Sequence, residues 1–540
     1  MIKLNKPPLA SFTILCLLFI SLITECRISV KAELTTLYVD DDNITGPWDG
    51  TKEHPYQNIT NALEHSIDGD TIFVRAGTYY ENVMINKSIS LLGEDRYSTI
   101  VDSNKIGNVI YIATNNVSVE NFTIKESGLQ LYDSGIFVGS SSGNNISNNI
   151  ITNNVITSNY EGISLYFSSN NVVYGNEITS NYEGISLYFS SNNVVYGNEI
   201  TSNDQGISLY YFSSHNVVYG NEITSNDQGI SLYFSSHNVV YGNEITSNYE
   251  GIHLAFHNSN NTVYCNNFNN IYQAWSDSKS IWDYRGEGNY WSNYTGQDLN
   301  GDGIGDNPHV IDVNNQDNYP LMGIFSDFNI SFERETYHVT TICNSTISDF
   351  NFKIGTETGN KIISFNAISD DNSVGFCRIT IPTELLMYPY IVLINSNWVT
   401  PTLLEISNTT VRLYFTYLNN STITIISPEA YNELMDRYLK LQIDLLNLSS
   451  TYYALLNNYS IVLGNYSQLQ ESYNELNSSL QEHLLDYSEQ IQNIRSLMYI
   501  TAAITAIFII TAIYLSKRTH ANVRPKTTLS EGKEQTSPSY

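Results

Sequence analysis

Asn171-Val172-Val173-Tyr174-Gly175-Asn176-Glu177-Ile178-Thr179-Ser180-Asn181-Tyr182-Glu183-Gly184-Ile185-Ser186-Leu187-Tyr188-Phe189-Ser190-Ser191 is one unit of a chain that repeats itself. From Asn193, Asn216 and Asn238 the chain runs through the same unit again with a few changes. Gly162, Gly184, Gly206, Gly229 and Gly251 mark steps of 22, 22, 23 and 22 residues, the odd one being a tyrosine inserted at Tyr210–Tyr211. A period in the twenties is that of a solenoid, whose coils bury one another's apolar face. Short β-branched runs separated by Asn, Gly and Ser make each unit strands and turns, and no helix-forming half is present. The expected fold is mainly β: a parallel β-helix with one coil per repeat.

Stacking sets equivalent residues one strand spacing apart, about 4.7–4.9 Å. Ile178, Ile200, Ile223 and Ile245 are then expected as an interior apolar column, and Asn176, Asn198, Asn221 and Asn243 as an amide ladder at a bend. Period-2 alternation sends Tyr174, Tyr196, Tyr219, Tyr241 and Tyr264 outward as a stripe, and Glu177, Glu199, Glu222 and Glu244 as a second outward column.

Flanking motifs extend the pattern: Asp40-Asp41-Asp42, Gly50 through Tyr56, Asp68-Gly69-Asp70-Thr71-Ile72 and Gly77-Thr78-Tyr79-Tyr80-Glu81 before it, and Gly288-Asn289-Tyr290-Trp291-Ser292, Asp298 through Asp306 and Asn318 through Met322 after it. With these, residues 37–322 resemble the right-handed β-helix of NosD-like and carbohydrate-binding/sugar-hydrolase proteins, as found on archaeal surfaces. The resemblance implies a fold shared with pectin lyases, and such folds host binding, hydrolysis and scaffolding alike. It also implies a link to copper-enzyme maturation, which draws His215 and His237, stacked in adjacent coils, into view as metal ligands. No third convergent ligand accompanies them.

The 54 acidic residues outweigh 25 basic ones, for a net charge of −29. That excludes nucleic acid as a partner, because no basic patch exists to neutralise phosphates. Lys3 and Lys6 precede an apolar run from Leu9 to Ile23, and Val30-Lys31-Ala32 offers a small-residue cleavage site, so residues 1–32 read as a signal peptide. Residues 497–515 carry no charge and are followed by Lys517, Arg518, Arg524 and Lys526. They read as one transmembrane helix, with 516–540 a cytoplasmic tail and the bulk of the chain outside the cell.

The expected β-helix domain is 33–322. Residues 325–427 alternate apolar and polar in short runs and are expected to form a small antiparallel β-sandwich. Cys343 and Cys377 are its two cysteines, and an oxidising exterior would allow a disulfide between them. From 428 to 496 the pattern turns heptad. Tyr431, Tyr438, Leu445, Tyr452, Tyr459, Tyr466, Tyr473, Leu480 and Tyr487 fall on a, and Leu434, Leu441, Leu448, Leu455, Val462, Leu469 and Leu476 on d. The expectation is a coiled-coil stalk able to self-associate. Asn-x-Ser/Thr sequons are scattered from Asn43 to Asn477 but absent between Asn145 and Asn260, which leaves the repeats free of expected glycan.

Asp298, Asn300, Asp302, the Ile304 carbonyl and Asp306 place oxygens at alternate positions around Gly303, as a structural calcium loop requires. His309 stands where a bidentate Glu is expected, leaving Asp312 or Asp317 to complete the shell. Asp204 and Asp227, neighbours in adjacent coils, are the candidate acid/base pair for a glycan-processing lyase or hydrolase. The repeats hold no Lys or Arg for an acidic sugar, and near-identical coils offer no local irregularity for an active site, which weighs against catalysis. Binding of a polysaccharide or cell-surface glycan by the tyrosine stripe, Tyr174 to Tyr264, is the expected function. A spacer without ligand is the remaining alternative.

Overall fold

The computed structural model describes residues 35–139, 146–147, 150–368, 374–418, 420–462, 473, 495–496 and 498–512. Three parallel sheets of ten, nine and ten strands run the length of the repeat region. Each coil gives one strand to each. Val172–Tyr174 pairs with Val194–Tyr196 in the first sheet, Glu183–Tyr188 with Gln205–Tyr210 in the second, and Glu177–Thr179 with Glu199–Thr201 in the third. The interior is apolar throughout: Val173, Ile178, Ile185 and Leu187 and their equivalents in later coils are fully buried.

The expected isoleucine column is in register. So is the amide ladder: Asn176 donates its backbone N–H and its Nδ2 to Asn198 Oδ1 at 3.1 and 2.9 Å, and the pattern recurs to Asn243. Two further ladders, from Asn159 to Asn270 and from Asn171 to Asn261, occupy the other bends. The ladder amides are thereby paired with one another, as a dry interior demands. A close approach explains the repeated glycine. A Cβ on Gly184 would lie 2.5 Å from the Gly206 carbonyl and 3.0 Å from Ile200 Cγ2.

A short helix, α1 (Ile59–His65), covers the first coils with Ile59, Ala62 and Leu63, its N-terminus capped by Asn58 and by the Glu81 carboxylate. At the other end Phe268, Trp291 and His309 stack to close the interior. Residues 324–427 form two five-stranded antiparallel sheets around a shared core that includes Val339, Phe365, Ile379, Leu413 and Ile425. The β-helix and this sandwich belong to one compact unit, which ends at Pro428. Phe325 and Asn267 exchange two 2.8 Å hydrogen bonds across their junction. Glu287 pairs there with Arg378 at 2.7 Å and Arg412 at 3.1 Å.

The second unit begins at Glu429. A helix, α2, spans Glu429–Val462. The expected coiled coil over 428–496 is seen only as this single helix, with the heptad residues Tyr438, Leu441, Leu445, Tyr452 and Leu455 exposed. Residues 498–512 are helical, but among the described residues no helix is long and apolar enough to cross a membrane. The expected signal peptide and cytoplasmic tail lie outside the described residues.

Candidate functional site

The outward side of the second sheet is built where the strands break their in-out alternation. Glu161 pairs with Glu183 and Ile163 with Ile185, leaving the intervening glycines outside the register. Gly184 faces the interior beside Ile200, so glycine and isoleucine both point inward. Glu183, Ser186 and Tyr188 consequently share the outer side. The Ser186 hydroxyl donates to the Glu183 carboxylate, and the Tyr188 hydroxyl lies 3.3 Å from it.

Glu161 and Glu183 are buried although they face outward. Tyr132 leans over them, edge-on to Tyr188 at 5.5 Å, and Tyr188, Tyr210 and Tyr233 stack at 4.8 and 5.3 Å. Burial, and then the facing Glu183 carboxylate, push the Glu161 carboxyl up to about 7. Burial raises Glu183 as well. In the next coils Gln205 and Gln228 take the same place, each accepting from the serine three residues on at 2.7 Å. Sequence alone does not mark these positions, because burial of an outward residue depends on the aromatic shell above it.

Along the edge of this face runs an aromatic ridge of Phe167, Phe189, Tyr211, Phe234 and Phe256, with centroids 4.7 to 6.3 Å apart. All five have positive φ, between 47° and 62°, a conformation that bulky side chains rarely adopt. The insertion adds a ring beside the ridge: Phe212, also at positive φ, is 71% exposed, against 37% for Phe189 and Phe234.

The expected tyrosine stripe lies on the first sheet. Tyr174, Tyr196, Tyr219, Tyr241 and Tyr264 stack at 4.9 to 5.3 Å with ring planes within 12° of parallel. Their faces cover one another, and only edges remain for a ligand. The sandwich approaches one end, with Phe325 3.5 Å from where a Gly242 Cβ would stand. Burial first, then the Asp327 charge among its neighbours, raises the Tyr219 and Tyr241 phenols. The glutamate column is closed at both ends, by Arg96 on Glu177 at 3.1 Å and Asn267 on Glu244 at 3.0 Å.

Asp204 and Asp227 are exposed in consecutive coils, and no ion pair reaches either among the described residues. In the Asp298 loop the carboxylates accept the loop's own amides: Asp298 takes Gly301, Asp302 and Gly303, Asp302 takes Ile304, and Asp306 takes Leu299. Asn300 donates to Asp302 at 3.2 Å. Asp312 and Asp317 do not complete the shell. Asp312 caps Asn314 and Asn315, and the buried Asp317 accepts from Asn289 and from Trp291 Nε1. Cys343 and Cys377 stand directly opposite on neighbouring strands, as buried free thiols.

Residues 63–296 match the family model described as periplasmic copper-binding protein (NosD), over the same coils that the parallel sheets define. That stretch is a NosD-like right-handed β-helix. Solved structures similar to it include pectate lyase Pel9A (13% identity, TM-score 0.36, covering 46% of this chain and 79% of that one). Others are DFA-IIIase from Arthrobacter chlorophenolicus A6 (15%, 0.36, 47% and 75%) and alginate lyase from Paenibacillus sp. str. FPU-7 (14%, 0.29, 48% and 98%). No curated protein matches the chain.

The residues of this NosD-like helix do not fit a copper centre. Its His215 and His237 rings stack 5.2 Å apart, and the next coil adds only Asn260, 3.2 Å from His237 Nε2. Among the described residues no three His, Cys, Asp or Glu side chains converge, whereas copper sites draw on a converging set of such ligands.

Proposed function

We propose that this chain is a surface protein that presents its β-helix to polysaccharide, with the second-sheet face as the binding surface. The observation that carries this reading is the aromatic ridge. Five consecutive coils hold a Phe or Tyr in a conformation suited to Gly or Asn, and the insertion lifts Phe212 clear of the column. Exposed rings beside hydroxyl and amide groups suit the apolar faces and hydroxyls of a sugar chain. The tyrosine stripe then serves as a stacked column that stiffens the first sheet. In the same reading residues 497–515 anchor the chain and the heptads of 428–496 pair with a second copy. The Asp298–Asp306 loop binds calcium to brace the end of the β-helix.

The test is affinity electrophoresis of the full chain in detergent through gels containing different polysaccharides. One polymer should retard the protein. Phe212→Ala with Phe234→Ala should weaken retention about 5- to 100-fold, the loss of two ring contacts. No retardation by any polymer would refute the proposal.

A further inference from the structure

The coils starting at Asp204 and Asp227 depart from their neighbours in concert. Aspartate replaces the tyrosine of Tyr160, Tyr182 and Tyr249, and Gln205 and Gln228 replace the glutamate of Glu161, Glu183 and Glu250. The insertion that frees Phe212 falls in the first of the two. In a stack copied almost verbatim, these two coils share one set of departures, as a selective binding strip requires.

The changes lie along one strip. Asp204 and Asp227 stand at the start of the second-sheet strands Gln205–Tyr210 and Gln228–Tyr233, and Tyr211, Phe212 and Phe234 follow their ends. Six residues of strand separate the carboxylates from the rings by about 20 Å, the reach of several sugar units. Between them the glutamines present amides where other coils present carboxyls.

Charge decides what can lie there. No Lys or Arg occurs between Lys125 and Lys279, so a polyuronate would bring carboxylates to a surface without a cation. Asp204 and Asp227 are exposed anions without an ion-pair partner among the described residues. A protonated amine meets both ends of the strip favourably, pairing with a carboxylate at one and sitting over an exposed ring at the other.

We infer that this strip binds an amino-sugar polysaccharide laid along the strands of these two coils, its ammonium groups at Asp204 and Asp227 and a sugar face on Phe212. The inference rests on the glycan-binding reading and names its ligand class. It also sets the direction of the chain across the helix axis, where a uniform column would select for nothing.

Calorimetric titration of the full chain in detergent tests it with three probes: a glucosamine oligosaccharide, its N-acetylated counterpart and an oligogalacturonate. The glucosamine oligomer should bind tightest, and its affinity should fall as salt is raised. Asp204→Asn with Asp227→Asn should weaken it by about three- to tenfold, the worth of two exposed ion pairs, and leave the N-acetylated oligomer unchanged. Both aspartates are exposed, so melting should not move. Equal binding of the two oligomers, salt-independent binding, or preference for the galacturonate would overturn the ligand class while keeping the glycan-binding reading. Binding of none of the three nor of any gel polymer, by protein of native melting behaviour, would overturn both.

Discussion

Two outward faces of the β-helix carry tyrosine columns, and they differ in what surrounds them. On the first sheet Tyr174 through Tyr264 recur with unchanged neighbours, ring on ring, and the column runs in under the sandwich. On the second sheet Tyr188, Tyr210 and Tyr233 stack as closely, yet the residues beside them switch between Glu and Gln and between Tyr and Asp, and an insertion adds a ring at the rim. A column copied without change satisfies itself. A column whose flanks vary is where a ligand can find one coil different from the next.

Removing Tyr196 and Tyr219 together breaks the comparison hardest. Three stacked pairs disappear, and the double alanine variant is expected to lose about 2–4 kcal/mol in chemical denaturation, with polysaccharide retention unchanged within about twofold. Lost retention at unchanged stability would invert the roles of the two faces.

A second variant makes one coil of the second face like another. Glu161 carries a folded pKa of about 7 against an ordinary 4.5. A carboxyl raised in this way contributes stability that is fully present below the unfolded value and lost as pH rises through the folded one. Melting temperature should therefore fall from about pH 4.5 to 7 on this account, and Glu161→Gln, the amide already present at 205 and 228, should flatten that fall. At pH 8 the variant should be more stable by about 1–3 kcal/mol. An unchanged pH profile would mean that water reaches the carboxyl.

Chelation of the calcium proposed for the Asp298 loop is the mildest test. The Asp298 loop packs at the junction, where a Cβ on Gly303 would lie 3.3 Å from Arg378, so chelation should loosen the covered end of the first face only. We expect the melting midpoint to drop by about 2–4 °C, the shift produced by ~1 kcal/mol, with retention unaffected. No shift would leave the loop held by its own amide hydrogen bonds.

The interior was legible because one period governs it. Ile178 and Asn176 sit at the same phase in each unit, and strand spacing does the rest. The ladders from Asn159 and Asn171 follow the same rule, at the other two bends of each unit. Glu161 and Glu183 were not legible: strict alternation along the strand puts Glu183 inside with Ile185, and the break in alternation at Gly184, which itself faces Ile200, reverses that. For the Tyr174 stripe, alternation gives a direction and not the angle between rings. The sandwich strands showed in their alternation, whereas Glu287 and Arg378 meet across 91 positions that no local pattern connects. The heptads of 428–496 predict a coiled-coil stalk, and the described residues show the helix α2 as far as Val462 with its heptad residues exposed rather than paired.

The asparagine ladders make length a heritable variable. Each amide looks only to the coil on either side, so a gene that gains or drops one unit by unequal crossing-over between its near-identical repeats still encodes a fully bonded stack. The product would be taller or shorter by about one strand spacing, 4.8 Å, with both end caps unchanged. A lineage could thus adjust how far its surface reaches by recombination alone, without a single new contact having to evolve.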